Sequence, residues 1–224
     1  MLDTAHIKFN FLLFLCYSLG AMGTSNKDLN SLVNFFFEVG TLRKIPRSHS
    51  QSLLTGDLSD NIASHSFRVV LIAFFLAKLE KANIEKVLTM AIFHDIPEAR
   101  SGDQNWIHKR YVKVLEDEII LNQISPLPSY KNLLKIIKEY NERKTKEALV
   151  AKDADLLDQI LLLKEYAHMG NKEAEIWLKG KDKKARGNAQ LALLKTNSAK
   201  KLGEAILRTL PGDWWLNLST SKRL

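Results

Sequence analysis

The segment Phe67-Arg-Val-Val-Leu-Ile-Ala-Phe-Phe-Leu-Ala-Lys-Leu79 would place apolar side chains on nearly every side of a helix. A helix apolar all round has to be covered on all sides, so it belongs at the centre of a helical pack. Asp60 offers a side-chain oxygen to the unpaired amides at its start. The neighbouring segments repeat the helical pattern. Ser25 with Asp28 forms a capping pattern ahead of Leu29, Leu32, Val33 and Phe36. A second apolar helix is expected over about Ile84–His94, a mixed-charge one over 105–122, and others over 131–140, 145–168 and 190–209. Residues 41–60 read as a polar loop, 125–128 as a Pro-rich loop and 178–187 as an exposed connection. No stretch alternates for long enough to make a strand, and only 5 Pro and 10 Gly are present. The expected class is all-α: a compact multi-helix bundle around one core.

A chain of 224 residues fits one domain, expected over 23–224. Residues 1–22 stand apart. The run FNFLLFLCYSLGAM from Phe9 to Met22 is short of the ~20 apolar residues that span a bilayer. Three readings are open for it: an extension ahead of a start at Met22, a targeting segment or membrane tether, or a packed helix. The lone Cys16 excludes an internal disulfide and thiolate zinc sites, which fits a reducing, cytoplasmic setting; export or tethering through residues 1–22 is the alternative. The net charge of +8 invites a nucleic-acid reading. It is local, however: between Lys179 and Lys201 there are eight basic residues against the single acid Asp182. No aromatic residues interleave with the lysines to stack on bases, so a solvated loop is expected there.

Three pieces of sequence carry chemistry: His65, the pair His94-Asp95, and Asp155, each on or at the end of an apolar helix. Taken singly, each has an ordinary reading as a core or solvated group. Together they would be costly in an apolar setting without a common partner. Imidazole nitrogens and carboxylate oxygens are the donors that hold a catalytic divalent cation while leaving positions open. Asp158 lies on the Asp155 face of its helix and either supports the ligands from behind or solvates the helix. Asp153 is expected to point elsewhere and be exposed. His49, His108 and His168 are expected to be ordinary polar residues, Trp106 to be core, and Trp214-Trp215 to pack onto the body.

The order His…His-Asp…Asp resembles that of the HD-domain metal-dependent phosphohydrolases. His94-Asp-Ile-Pro-Glu98 followed by Ser101-Gly-Asp103 is similar to the signature of their 5′-deoxynucleotidase-like branch. Leu42-Arg-Lys-Ile-Pro-Arg47 and Ala154-Asp-Leu-Leu-Asp158 resemble further segments of that branch, as do Ser198-Ala-Lys-Lys-Leu202 and Asp213-Trp-Trp215. The resemblance implies an HD-domain bundle with His65, His94, Asp95 and Asp155 as ligands of a divalent ion such as Mn, Co or Mg. It implies that Glu98 handles the attacking water or the leaving-group proton, with Asp95 at the reacting centre. It also implies that Asp103 lies beside the sugar and that Lys44 and Arg47 face the phosphate. The implied substrates are (deoxy)nucleoside 5′-monophosphates, and the implied assembly is a homodimer. The sequence departs from the branch at Ser64, where many relatives carry an acid, and at Arg43-Lys44, whose order is inverted. Two alternatives stand beside this reading: another HD-type nucleotide phosphodiesterase, or a non-catalytic nucleic-acid-binding or scaffold protein using the 179–201 patch.

Overall fold

The computed structural model describes residues 25–180, 190–216 and 218. The apolar segment 1–22 and residues 181–189, which carry four of the eight basic residues of the lysine-rich stretch, lie outside the described residues. Among the described residues the structure is helical, with no strand and one isolated bridge, Pro46 to Asn61.

Helix α1 (Asn26–Val39) starts on the expected cap. The Ser25 hydroxyl accepts the Asp28 amide at 3.1 Å, and Asp28 accepts the Ser25 amide at 3.1 Å. The expected loop 41–60 is more ordered than its composition suggests. It holds a 3-10 turn, Gly40–Lys44, and a short helix α2, His49–Leu53. The central helix α3 spans Ile62–Leu79, and its cap is Asn61 rather than Asp60. Asn61 accepts the Ser64 amide at 3.0 Å while the Ser64 hydroxyl accepts the Asn61 amide at 3.2 Å. Ser64, the departure noted above, thus completes a capping box.

Helix α4 (Ile84–Phe93) and the long helix α9 (Lys146–His168) pack on α3 and bury Val69, Ala73, Leu76, Val87, Met90, Ala154, Leu157 and Ile160. A short helix α5 (Glu98–Ser101) follows α4. The segment expected to be one helix over 105–122 is two, α6 (Trp106–Tyr111) and α7 (Glu116–Ile124). Val112 turns extended at φ −118°, as suits a β-branched residue, and breaks the run. Helix α8 (Tyr130–Glu142) joins α7 in a satellite cluster around Ile120, Ile124 and Ile137, with Phe35 of α1 stacked on Phe93 at 6.2 Å.

Helix α10 (Lys172–Lys179) was not apparent from the sequence pattern; Asn171 caps it, its side chain accepting the Ala174 amide at 3.0 Å. The expected helix 190–209 is a 3-10 turn, Leu191–Leu193, and then α11, Asn197–Arg208. In α11, Gly203 allows close approach: a Cβ there would lie 2.4 Å from a methyl of Leu191 and 3.0 Å from one of Leu194. The tail helix α12 (Asp213–Leu216) leaves Trp214 and Trp215 exposed rather than packed on the body.

The expectation for α3 holds on one side. Phe67, Leu71, Phe75 and Leu79, four residues apart, form a bare apolar stripe, each at least 48% exposed. Among the described residues α3 is the one helix long and apolar enough to cross a bilayer. It instead carries His65 and Arg68 in contact with acids of α9.

Candidate metal centre

Three helices bring the ligand-type residues together. His65 sits in the first turn of α3, His94 and Asp95 follow the last turn of α4, and Asp155 lies in the middle of α9. His65 Nε2 is 3.2 Å from His94 Nε2, 3.3 Å from Asp95 Oδ2 and 3.3 Å from Asp155 Oδ1. His94 Nε2 is 3.1 Å from Asp95 Oδ2. Ligand atoms about 2.1 Å from one cation lie about 3.0–3.4 Å apart, so these separations match a shared coordination sphere. The atoms of His65, His94 and Asp155 form a cluster that can hold a metal ion.

The hydrogen bonds behind the rings show what the cluster needs. His94 Nδ1 lies 2.8 Å from the Ala91 carbonyl, which can only accept, so Nδ1 carries the proton. His65 Nδ1 lies 2.6 Å from Asp158 Oδ2. Neutral rings so held turn both Nε2 lone pairs toward each other and toward two carboxylates. That arrangement is favourable only around a positive charge, and a divalent cation supplies it. The same demand appears in the protonation equilibria. Burial favours neutral His65, yet Asp155, Asp158 and Asp95 outweigh it and raise its pKa well above the ordinary value. Burial also opposes charge on Asp95 and Asp155. His94 and His65 hold Asp95 well below the carboxylate range, and Lys152 with His65 does so for Asp155. Lys152 reaches Asp155 at 2.5 Å from the preceding turn of α9.

Asp158 supports His65 from behind. Its other oxygen accepts from Arg68, which also pairs with Glu165 at 2.6 Å. This chain fixes the tautomer and orientation of the His65 ring, the usual task of a carboxylate behind a ligating imidazole.

Arg47 is buried, 3.3 Å from Asp95 and 3.6 Å from Asp103. Asp103 accepts the Ser48 amide at 2.6 Å and the Ser48 hydroxyl at 2.9 Å, tying the Arg47 loop to the turn after α5. Gly102 makes that turn at φ 70°, ψ 165°, which side chains rarely tolerate. Lys44 is exposed at the end of the 3-10 turn, and the structure does not bring it into the cluster. Glu98 lies on the cleft wall beside His94, Asp95 and Asp155, with Oε2 buried and unpartnered. Burial, then Asp95 and Asp103, push its pKa up to about 9.

Three contributors escape sequence reasoning. His49 accepts from Arg47 at 3.2 Å and meets Trp177 edge-on at 5.3 Å. Its signal is its place two residues after Arg47. Trp106, expected in the core, is 53% exposed and edges the same aromatic group, 4.7 Å from Trp177. Tyr140 packs edge-on against His94 at 6.1 Å. Nothing local to α8 marks Tyr140, because its role arises from packing on α4.

His94, Asp95 and Asp155 of the cluster form the floor of a cleft of about 550 Å³ that Tyr140, Arg143, Lys152 and the α6–α7 connection also line. A cluster of two histidines and two aspartates, carried by three packed helices and open to such a cleft, defines a helical metal-site protein.

Comparison with known proteins agrees with this class. Residues 39–197 match the family model described as HD domain. Over 150 residues the chain is 27% identical to the 5′-deoxynucleotidase HDDC2 of Dictyostelium discoideum, covering 62% of this chain and 78% of that one. Among solved structures, a protein of Pyrococcus horikoshii superposes with a TM-score of 0.58 at 26% identity, over 79% of this chain and 98% of its own. A predicted metal-dependent phosphohydrolase of Magnetospirillum magnetotacticum gives 0.59 at 23% identity, over 81% and 92%. The family model spans most of the chain, so the chain belongs to the HD-domain family.

Proposed function

We propose that the protein hydrolyses the phosphomonoester of (deoxy)nucleoside 5′-monophosphates, releasing nucleoside and phosphate. The observation that carries this reading is the convergence of four ligand atoms at 3.1–3.3 Å on the floor of a cleft that also holds a buried, unpartnered carboxyl. The Dictyostelium relative, named a 5′-deoxynucleotidase, supports the choice of substrate. We read residues 23–224 as one domain working in the cytoplasm.

His65, His94, Asp95 and Asp155 would hold a divalent ion such as Mn²⁺, Co²⁺ or Mg²⁺. Such an ion, when bound, supplies Lewis acidity toward a phosphoryl oxygen and acidifies water. Arg47 brings a fixed charge against Asp95, behind the floor: burial opposes ionisation, but Asp95 and Asp103 keep the guanidinium charged. Its planar fork suits phosphate oxygens. Glu98, whose pKa is raised by burial and by Asp95 and Asp103, lines the cleft and would give its proton to the nucleoside oxygen as the P–O bond breaks. Asp103 positions Arg47 and Ser48 at the edge where a sugar would enter. The test is a panel of nucleoside monophosphates and divalent metals with phosphate release as the readout. Release from none of them overturns the reading.

The role of Glu98 has its own signature. Glu98→Gln keeps the shape and loses the proton, so turnover of nucleotides should fall by about 100-fold or more. An aryl phosphate whose leaving group needs no proton should be affected far less. An equal loss on both substrates would reassign Glu98 to handling the attacking water.

We place a homodimer contact on the bare stripe Phe67, Leu71, Phe75 and Leu79 of α3, which is larger than a scatter of single exposed residues. Phe75→Glu should convert a dimer into a monomer in light scattering. A wild-type protein that is monomeric at micromolar concentration would remove this contact.

A further inference from the structure

The floor of the cleft accounts for its charges, and the mouth does not. Lys152 faces Asp155 on the floor, and Arg47, buried behind it, faces Asp95 and Asp103. At the mouth, Lys109, Lys113 and Arg143 line the same cleft, with Glu116 as the one acid beside them. The two lysines are exposed and form no ion pair among the described residues. They come from opposite sides of the break at Val112, where the chain runs extended along the cleft between α6 and α7.

Arg143 is the more telling member. It caps the C-terminus of α8 in the left-handed region, φ 54°, ψ 31°, where glycine is the usual residue. An arginine there accepts an unfavourable backbone, and such positions tend to mark function. The guanidinium carbon lies 3.3 Å from the centre of the Tyr140 ring, and that ring packs against His94 at 6.1 Å. Stacking on Tyr140 fixes the plane of the fork, while Nη1 is buried with no hydrogen-bond partner. A buried donor without an acceptor is costly unless a ligand supplies one.

A single phosphate engaged with the metal cluster and Arg47 leaves all three of these cations unused. We propose that Arg143, Lys109 and Lys113 form a second phosphate subsite. The preferred substrate is then a nucleotide carrying one phosphate beyond the one removed, as in a deoxynucleoside 3′,5′-bisphosphate. The inference rests on the phosphomonoesterase reading above and narrows its substrate class. The reaction is unchanged: water oxygen bonds to the phosphorus at the metal cluster, the P–O bond to the nucleoside breaks, and the nucleoside oxygen takes a proton. The second phosphate stays on the product. The apolar side chains of Val112 and Val114 line the cleft between the charged groups and suit the body of the nucleoside.

The experiment compares a deoxynucleoside 5′-monophosphate with the corresponding 3′,5′-bisphosphate on the metal-loaded protein. Phosphate release gives kcat/KM, and calorimetry on the Glu98→Gln protein gives Kd. Charge-assisted hydrogen bonds of this kind predict a preference for the bisphosphate of about tenfold or more in both measurements. In the variant Lys109→Ala/Lys113→Ala/Arg143→Ala that preference should collapse toward unity. Arg143→Lys should restore only part of it, because an ammonium cannot reproduce the fork stacked on Tyr140. Equal Kd and kcat/KM for the two nucleotides in the wild type would overturn the subsite and leave the monophosphatase reading in place. Tight bisphosphate binding, lost in the triple variant but without phosphate release from either nucleotide, would support the subsite and overturn the proposed reaction.

Discussion

Asp95→Ala should reduce nucleotide hydrolysis by about 1000-fold or more while the helical content stays as in the wild type. The loss is expected because Asp95 touches every part of the floor. Its Oδ2 lies 3.3 Å from His65 Nε2, 3.1 Å from His94 Nε2 and 3.3 Å from Arg47. On the proposed ligand set, alanine removes a ligand atom and half of the charge that offsets a dication, and it leaves Arg47 with Asp103 and His49 as partners. The fold should survive because Asp95 follows the end of α4 and contributes no apolar packing to the core. Metal dependence of stability separates lost chemistry from lost metal. A divalent ion at 100 times its Kd adds ~2.7 kcal/mol to a protein that binds it only when folded. Thermal or chemical denaturation should show such a gain for the wild type and little for Asp95→Ala. A variant that keeps the full metal-induced gain and the full rate would remove Asp95 from the ligand set.

How much of this site can be read from sequence depends on what fixes each residue. The convergence of the proposed ligands His65, His94, Asp95 and Asp155 is legible because each is a polar residue on, or just past the end of, an apolar helix, and their order along the chain is distinctive. Arg68 was within reach, one turn after His65, but its task depends on Asp158 and Glu165 lying across the α3–α9 contact. Tyr140 and Arg143 were out of reach, since α8 acquires its place at the cleft only by packing on α4. The bare stripe on α3 shows the converse limit. Periodicity shows which side chains are apolar, but not how many sides of a helix the rest of the chain will cover. Local pattern also misled at the ends of elements. The expected helix from 190 breaks at Leu194–Thr196 because those backbone groups have a partner 42 residues earlier, Asp153.

That partner supports the second large effect, on stability. Asp153 is fully buried, against the expectation that it would be exposed. Its carboxylate accepts the Lys195 amide at 2.9 Å, the Thr196 amide at 2.7 Å and the Thr196 hydroxyl at 2.7 Å. Thr196 is itself the N-cap of α11, so Asp153 holds the start of that helix on the flank of α9. Asp153→Ala would leave three partly buried donors without their shared acceptor, and α11 would lose the anchor that keeps Gly203 against Leu191 and Leu194. A buried donor left unsatisfied costs about 1–3 kcal/mol, so the variant should lose on the order of 3–5 kcal/mol. Urea titration followed by circular dichroism reads this directly as a lower midpoint. Asp153→Asn retains one acceptor oxygen but turns an amide toward donors, and should fall between the two. Asp153 faces α11 rather than the Asp155 side of α9, so the protein that remains folded should hydrolyse substrate at the wild-type rate. An unchanged midpoint in Asp153→Ala would mean that α11 is held by its apolar face alone. A lost rate at full stability would mean that Asp153 acts on the metal cluster through the backbone of α9.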